Sequence, residues 1–294
     1  MFIILVFQRL PLDAFTMELT FLLCILVIVQ AGVIKEKESC EGVIINEIYH
    51  DVEVLKSELD RPYLLAIDRS TNTLYFSFSE SKEDDVFKSA RLDLNTKQYG
   101  TIDDVSNGFA QTVDEKTHEV YIGGNDGLYK YDPASNKAEF IGERGTDIWT
   151  IFYKDVLYYS VFPSQFLYTF SNGESSRFPD LQDTKVDHFI IDNENIMFFT
   201  NATGLYSQEK GTNTATLYQD LPENGARGMT LDVNGNVHVC YQDGIFRVDK
   251  EESKLDKVVE LDDAFGVAFD KDNNIIYADA TSVVRLKPNK NKTC

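Results

Sequence analysis

The chain has 294 residues, 43% of them apolar and 12% aromatic, enough for one large β domain with a substantial core. Its 28 basic and 48 acidic residues give a formal net charge of -20. A surface field of that sign repels phosphate backbones and anionic lipid heads, which excludes nucleic acid as a partner.

The first element is a leader. Leu19 to Val29 reads LTFLLCILVIV, too short to span a bilayer, and Gln30-Ala31-Gly32 follows with small residues suited to signal peptidase. Residues 1–32 are therefore predicted to be a signal peptide, and 33–294 a secreted chain with no membrane segment. Glu18 stands where a basic residue is usual, and a long lead interrupted by Pro11 precedes Met17, so Met17 is an alternative start. The leader carries only Arg9, Asp13 and Glu18, so the mature chain keeps a charge of about -19 and the acidity belongs to the fold. Short acidic runs such as Glu83-Asp84-Asp85 and Asp262-Asp263 read as solvated loop surface.

Beyond the strand-like segment GVIINEIYHDVEVLKSEL, Gly42 to Leu59, one phrase recurs: an apolar strand, a polar turn and a second apolar strand. Aligned on its turn, the register falls at Asp68, Asp114, Lys154, Asp192, Asp232 and Asp270, at intervals of 46, 40, 38, 40 and 38 residues. Second strands follow as TLYFSF, EVYIGG, VLYYSV, IMFFTN, VHVCYQ and IIYADA. A third appears at GLYKYD (127–132), FLYTFS (166–171), GLYSQE (204–209), GIFRVD (244–249) and VVRLKP (283–288). Strand-sized runs rich in aromatic and β-branched residues, separated by Asp/Asn/Gly turns, oppose a helical repeat. Six such copies near 40 residues predict an all-β, six-bladed β-propeller in a single domain, 33–294.

A propeller must close, because an open end would expose strand edges. The sixth copy ends near Pro288 with room for three strands, so the segment after Gly42 is predicted to complete the last blade. That closure brings Cys40 near Cys294 and predicts a disulfide between them, worth roughly 3–5 kcal/mol in the chain-entropy model. Cys240, inside VHVCYQ, reads as a buried free thiol, although Cys40–Cys240 and Cys240–Cys294 remain alternatives on sequence. The sequons at Asn201 and Asn291 fit glycosylation of a secreted protein.

The residue at a fixed offset before each anchor should occupy an equivalent place around the central channel. Five residues back stand Tyr63, Phe109, Trp149, Asp187, Arg227 and Phe265: four aromatics, one acid, one base. That composition suits a ligand pocket, with π faces for a planar ring and with Arg227 and Asp187 for carboxylate and ammonium groups. Arg61, Asn107, Asp147 and His188 are expected to add hydrogen bonds at its mouth. The competing reading packs the aromatics between blades and neutralises Arg227 against Asp187.

Two other function classes compete with a binding pocket. A metal-dependent lactonase or esterase of the propeller type could use Asn107, Asp147 and Asp187 as ligands, but aromatics occupy positions where further oxygen donors are needed. An interaction scaffold would show loops rich in aromatic or arginine anchors, whereas these loops are acidic and small. No G-x-S-x-G, H-E-x-x-H, paired C-x-x-C or P-loop is present, and His50, His118, His188 and His238 lack ligand spacing. GGNDG (123–127) is a turn between strands. No catalytic residue, metal or cofactor is expected.

The phrases ESCEGVIINEIYHDVEVL, DRPYLLAIDRSTNTLYFSFS and NGFAQTVDEKTHEVYIGGNDGLYKYD resemble the lepidopteran ommochrome-binding proteins. The resemblance runs from about Lys35 to the C-terminus. The mature chain is expected to be a monomer, and the resemblance implies a secreted haemolymph protein that carries ommatin-type pigments, tryptophan-derived compounds with a fused aromatic system and charged amino-acid groups. No family binding motif transfers to particular positions, so every site residue above rests on the repeat register.

Overall fold

The structure is a computed structural model describing residues 40–80 and 86–292. Among the described residues every regular element is a strand, apart from one 3-10 turn at Pro179–Leu181. The strands form six antiparallel sheets, five with four strands and one with five. Blades 1 to 5 span 63–102, 110–142, 148–177, 188–217 and 228–260, each a meander from the axis outward. In blade 6 the strands Gly266–Phe269, Ile275–Ala278 and Val283–Pro288 are joined by Ile48–Lys56 and Val43–Ile45 from the other end of the chain.

The chain is thus a six-bladed β-propeller closed by its N-terminal strand, as the repeat predicts. Ile48–Lys56 pairs antiparallel with Val283–Pro288, and Arg285 fastens the join. Its guanidinium donates to Glu53 Oε2 at 2.8 and 3.0 Å and to Asp270 Oδ2 at 3.4 Å.

Each blade is covered by a neighbour on both faces, so its middle strands are apolar on both sides rather than alternating. In Thr73–Ser79, for instance, Leu74, Tyr75 and Phe76 are all buried. The core accordingly divides into six clusters, one per junction between blades. Leu74, Phe76 and Leu92 of blade 1 pack on Ala268, Ile276 and Val283 of blade 6, which closes the ring. Cys240 is a buried free thiol in the blade 5–6 cluster, and burial pushes its titration up to about 12. The expected Cys40–Cys294 pairing ends outside the described residues, as does the leader 1–32.

Candidate functional site

The inner strands Tyr63–Asp68, Ala110–Val113, Ile148–Lys154, His188–Ile191, Gly228–Leu231 and Gly266–Phe269 surround the axis. They end at the six anchors. Five of these are aspartates, each accepting the backbone N–H two residues on at 2.9–3.0 Å. Asp232 and Asp270 also accept the side-chain amides of Asn236 and Asn274 at 2.9 Å. These are Asx turns, in which a carboxylate organises the reversal that the backbone alone would leave open. Burial pushes Asp68 and Asp232 upward, but the hydrogen bonds from Ser70 and Thr71, and from Asn236, outweigh it and hold both below the usual carboxylate range. Blade 3 has Lys154 instead and turns tightly through Asp155, while the Lys154 ammonium donates to the carbonyl of Asp192.

At the opposite end, the backbone fixes four of the six positions alike. Phe109, Asp187, Arg227 and Phe265 each donate their N–H to the second strand of their own blade, at 2.8–3.0 Å. Tyr63 pairs with Ser77, and Trp149 sits in a register shift between Ile148 and Thr150. All six side chains are half-buried.

The four aromatics touch in ring order. Ring centroids lie 5.3 Å apart for Phe265 and Tyr63, 6.0 Å for Tyr63 and Phe109, and 5.2 Å for Phe109 and Trp149. Two aromatics outside the repeat register extend the wall. Phe87 lies 4.6 Å from Phe109 and 5.8 Å from Tyr63, and Phe162, 53% exposed, lies 5.8 Å from Trp149. Their only sequence signal is an aromatic at the mouth end of a second- or third-strand boundary. Blades 6, 1, 2 and 3 therefore present a crescent of aromatic rings tilted against one another, and blades 4 and 5 present Asp187 and Arg227.

The charged pair does not neutralise itself. Arg227 Nη1 donates to Asp263 Oδ1 at 2.9 Å and to the Ala264 carbonyl at 3.0 Å, and its guanidinium lies 4.4 Å from the Phe265 centroid. Asp187 accepts from the Gln165 amide. Burial raises the pKa of Asp187, with Lys185 opposing, and burial raises that of Asp147.

The other expected neighbours divide. Arg61 donates to Ser79 Oγ at 3.0 Å and Asp60 Oδ1 at 3.3 Å. Asn107 spends its Oδ1 on the Phe87 N–H at 2.6 Å, so it positions an aromatic. His188 Nε2 bonds the Ala226 carbonyl at 3.1 Å, and burial lowers its pKa to about 4, which keeps the ring neutral.

Below this mouth runs an axial cavity of about 320 Å³, and of the ten predicted residues only His188 lines it. Its walls are the free edges of the inner strands, including Leu64, Ala110, Thr150 and Gly228. At the turn end Arg69 bridges several blades, bonding the carbonyls of Leu231 at 2.6 Å and Phe269 at 3.3 Å and the carboxylate of Glu115. Register alone places the mouth and this shaft in one channel; the structure separates them into two layers.

No protein-family model matches the chain. It is 31% identical over 252 residues to the ommochrome-binding protein of Manduca sexta, covering 84% of this chain and 90% of that protein. Among solved structures it is similar to a gluconolactonase of Xanthomonas campestris, at TM-score 0.66 and 12% identity, over 84% of this chain and 91% of that one. It is also similar to the calcium-binding protein regucalcin of Agrobacterium tumefaciens, at TM-score 0.60 and 11% identity, over 82% and 96%. At these identities the two structures speak to the fold alone. A calcium ion at this chain's mouth does not fit the donors present, because it takes six to eight oxygens. The six ring positions offer one carboxylate among four aromatics and an arginine, and among the described residues no three His, Cys, Asp or Glu side chains gather to hold a metal.

Proposed function

The chain belongs to the ommochrome-binding protein family, and from that premise we propose that it is a carrier that binds an ommochrome-type pigment non-covalently, without turnover, at the aromatic mouth of its propeller. One observation carries the reading. The half-buried aromatics Phe265, Tyr63, Phe109 and Trp149, with half-buried Phe87 and exposed Phe162 beside them, form a continuous wall on one side of the mouth. A planar chromophore laid on Phe109 and Trp149, whose ring planes differ by 36°, gains offset-stacking contacts that an aliphatic ligand of the same area would not.

The carrier is secreted into haemolymph as a monomer after removal of residues 1–32, with glycans at Asn201 and Asn291 and a Cys40–Cys294 bridge. Titration with xanthommatin, following Trp149 fluorescence and the visible pigment band, tests the binding. Saturable quenching with a matching band shift is expected. No change in either signal at micromolar pigment, together with chelator-sensitive cleavage of a lactone, would replace the carrier by a hydrolase.

A further inference from the structure

The polar groups of the mouth are not equivalent. One loop after the second strand of blade 3 gathers an acidic corner: Phe162 packs on Trp149 and donates its N–H to the Asp147 carbonyl at 2.9 Å, and the Gln165 amide reaches Asp187. Asp147 stands two residues before Trp149 on the same chain segment, and Asp187 is the next ring position. Among the described residues neither carboxylate forms an ion pair, and both are pushed upward by burial. The opposite corner is basic and already occupied. Arg61 is held by Ser79 and Asp60, and Arg227 by Asp263, Ala264 and the Phe265 face.

A cation entering the acidic corner meets Asp147 and Asp187, neither of them in an ion pair among the described residues and with Lys185 the charge that opposes the burial of Asp187, beside the Trp149 and Phe162 rings, a combination that favours positively charged nitrogen. A carboxylate entering the basic corner meets arginines that are already ion-paired, Arg61 with Asp60 and Arg227 with Asp263. We propose that the mouth selects planar aromatic ligands bearing a cationic nitrogen, seated at Trp149 between Asp147 and Asp187, and that Arg227 braces Phe265 rather than reading a ligand carboxylate. This deepens the pigment reading and rests on it for the place of binding. It reverses the balanced roles that the ring composition suggests for Arg227 and Asp187.

The test compares two planar probes, cationic proflavine and anionic pyrene-1-carboxylate, by Trp149 quenching. Because the whole chain is acidic, the informative variant is Asp147→Asn/Asp187→Asn against Glu139→Gln/Glu174→Gln, an equal charge change on outer strands. Proflavine affinity should fall about tenfold in the mouth variant and less than twofold in the control, a tenfold change being the loss of one partly buried charge contact. Pyrene-1-carboxylate should not weaken in the mouth variant, and Arg227→Gln should lower its affinity less than twofold. An equal loss of proflavine affinity in both acidic variants, or a tenfold loss of the anion in Arg227→Gln, would overturn the proposal. If the double variant does not fold, Asp147→Asn alone should still lower proflavine affinity several-fold, and no change there would equally overturn it. Xanthommatin run in parallel separates the two readings. Pigment binding without the proflavine pattern removes only the charge selection; the proflavine pattern without pigment binding removes only the pigment.

Discussion

At the turn end of the inner strands, five of six blades place an aspartate in the same buried turn; five residues away, about 17 Å along each strand, the six blades place Tyr63, Phe109, Trp149, Asp187, Arg227 and Phe265. The first set is 1–7% exposed, and each carboxylate organises its own hairpin by accepting the backbone N–H two residues on. The second is half-buried, differs from blade to blade, and touches across blades. Identical residues do an identical local job in five of the six blades and so carry the fold. Residues that share a place but not a chemistry can build one asymmetric surface, which a six-fold repeat of a single side chain could not.

The contrast is breakable. Asp270→Ala should be the most damaging single change, because it removes the acceptor for two backbone N–H groups and the Asn274 amide and leaves buried Arg285 with Glu53 alone. A loss of about 3–4 kcal/mol in urea unfolding is expected, with pigment affinity of the folded protein unchanged. A large affinity loss instead would mean that the two ends are coupled.

His188 lies between the two layers and gives the next effect. An unfolded histidine takes up its proton near pH 6.5, whereas His188 resists until about pH 4, so protons favour the unfolded chain between those values. Stability should fall by up to about 2–3 kcal/mol as the pH drops through that window, and His188→Gln should flatten that part of the profile. Asp147 and Asp187 work in the opposite direction, since their raised titration means that protonation relieves a buried charge. An unaltered slope in His188→Gln would show that other groups set the acid response.

At the mouth the consequences move from stability to binding. Trp149→Ala should weaken pigment binding by about 1–3 kcal/mol, the scale of one stacked aromatic, while unfolding shifts by less. Retained affinity would take Trp149 out of the site. Phe162→Ala should cost only about 0.5–1 kcal/mol of binding, because the ring is more than half exposed and touches Trp149 at the rim. A larger loss would make Phe162 a principal contact.

Most of the fold was legible, for a physical reason: the repeat writes the same hairpin in every blade, and closure demands the N-terminal strand. Third strands at 127–132, 204–209, 244–249 and 283–288 form where the phrases predict them. The mouth was legible only through that register. Phe87 and Phe162 escape it because they belong to strand boundaries that the anchor does not index, and Asn107 serves Phe87 rather than the opening. The partner of Arg227 was equally hidden, since Asp263 lies in the following loop and only the folded chain brings it within 2.9 Å. Arg69 crosses toward blade 5, 162 residues away, a contact that no local pattern encodes.

The most direct test of the account is a crystal structure of the protein with xanthommatin bound. The chromophore should lie on Trp149 and Phe109 with its cationic nitrogen toward Asp147 and Asp187. Density for the pigment in the shaft between Gln111 and Arg69, with the aromatic wall bare, would contradict it.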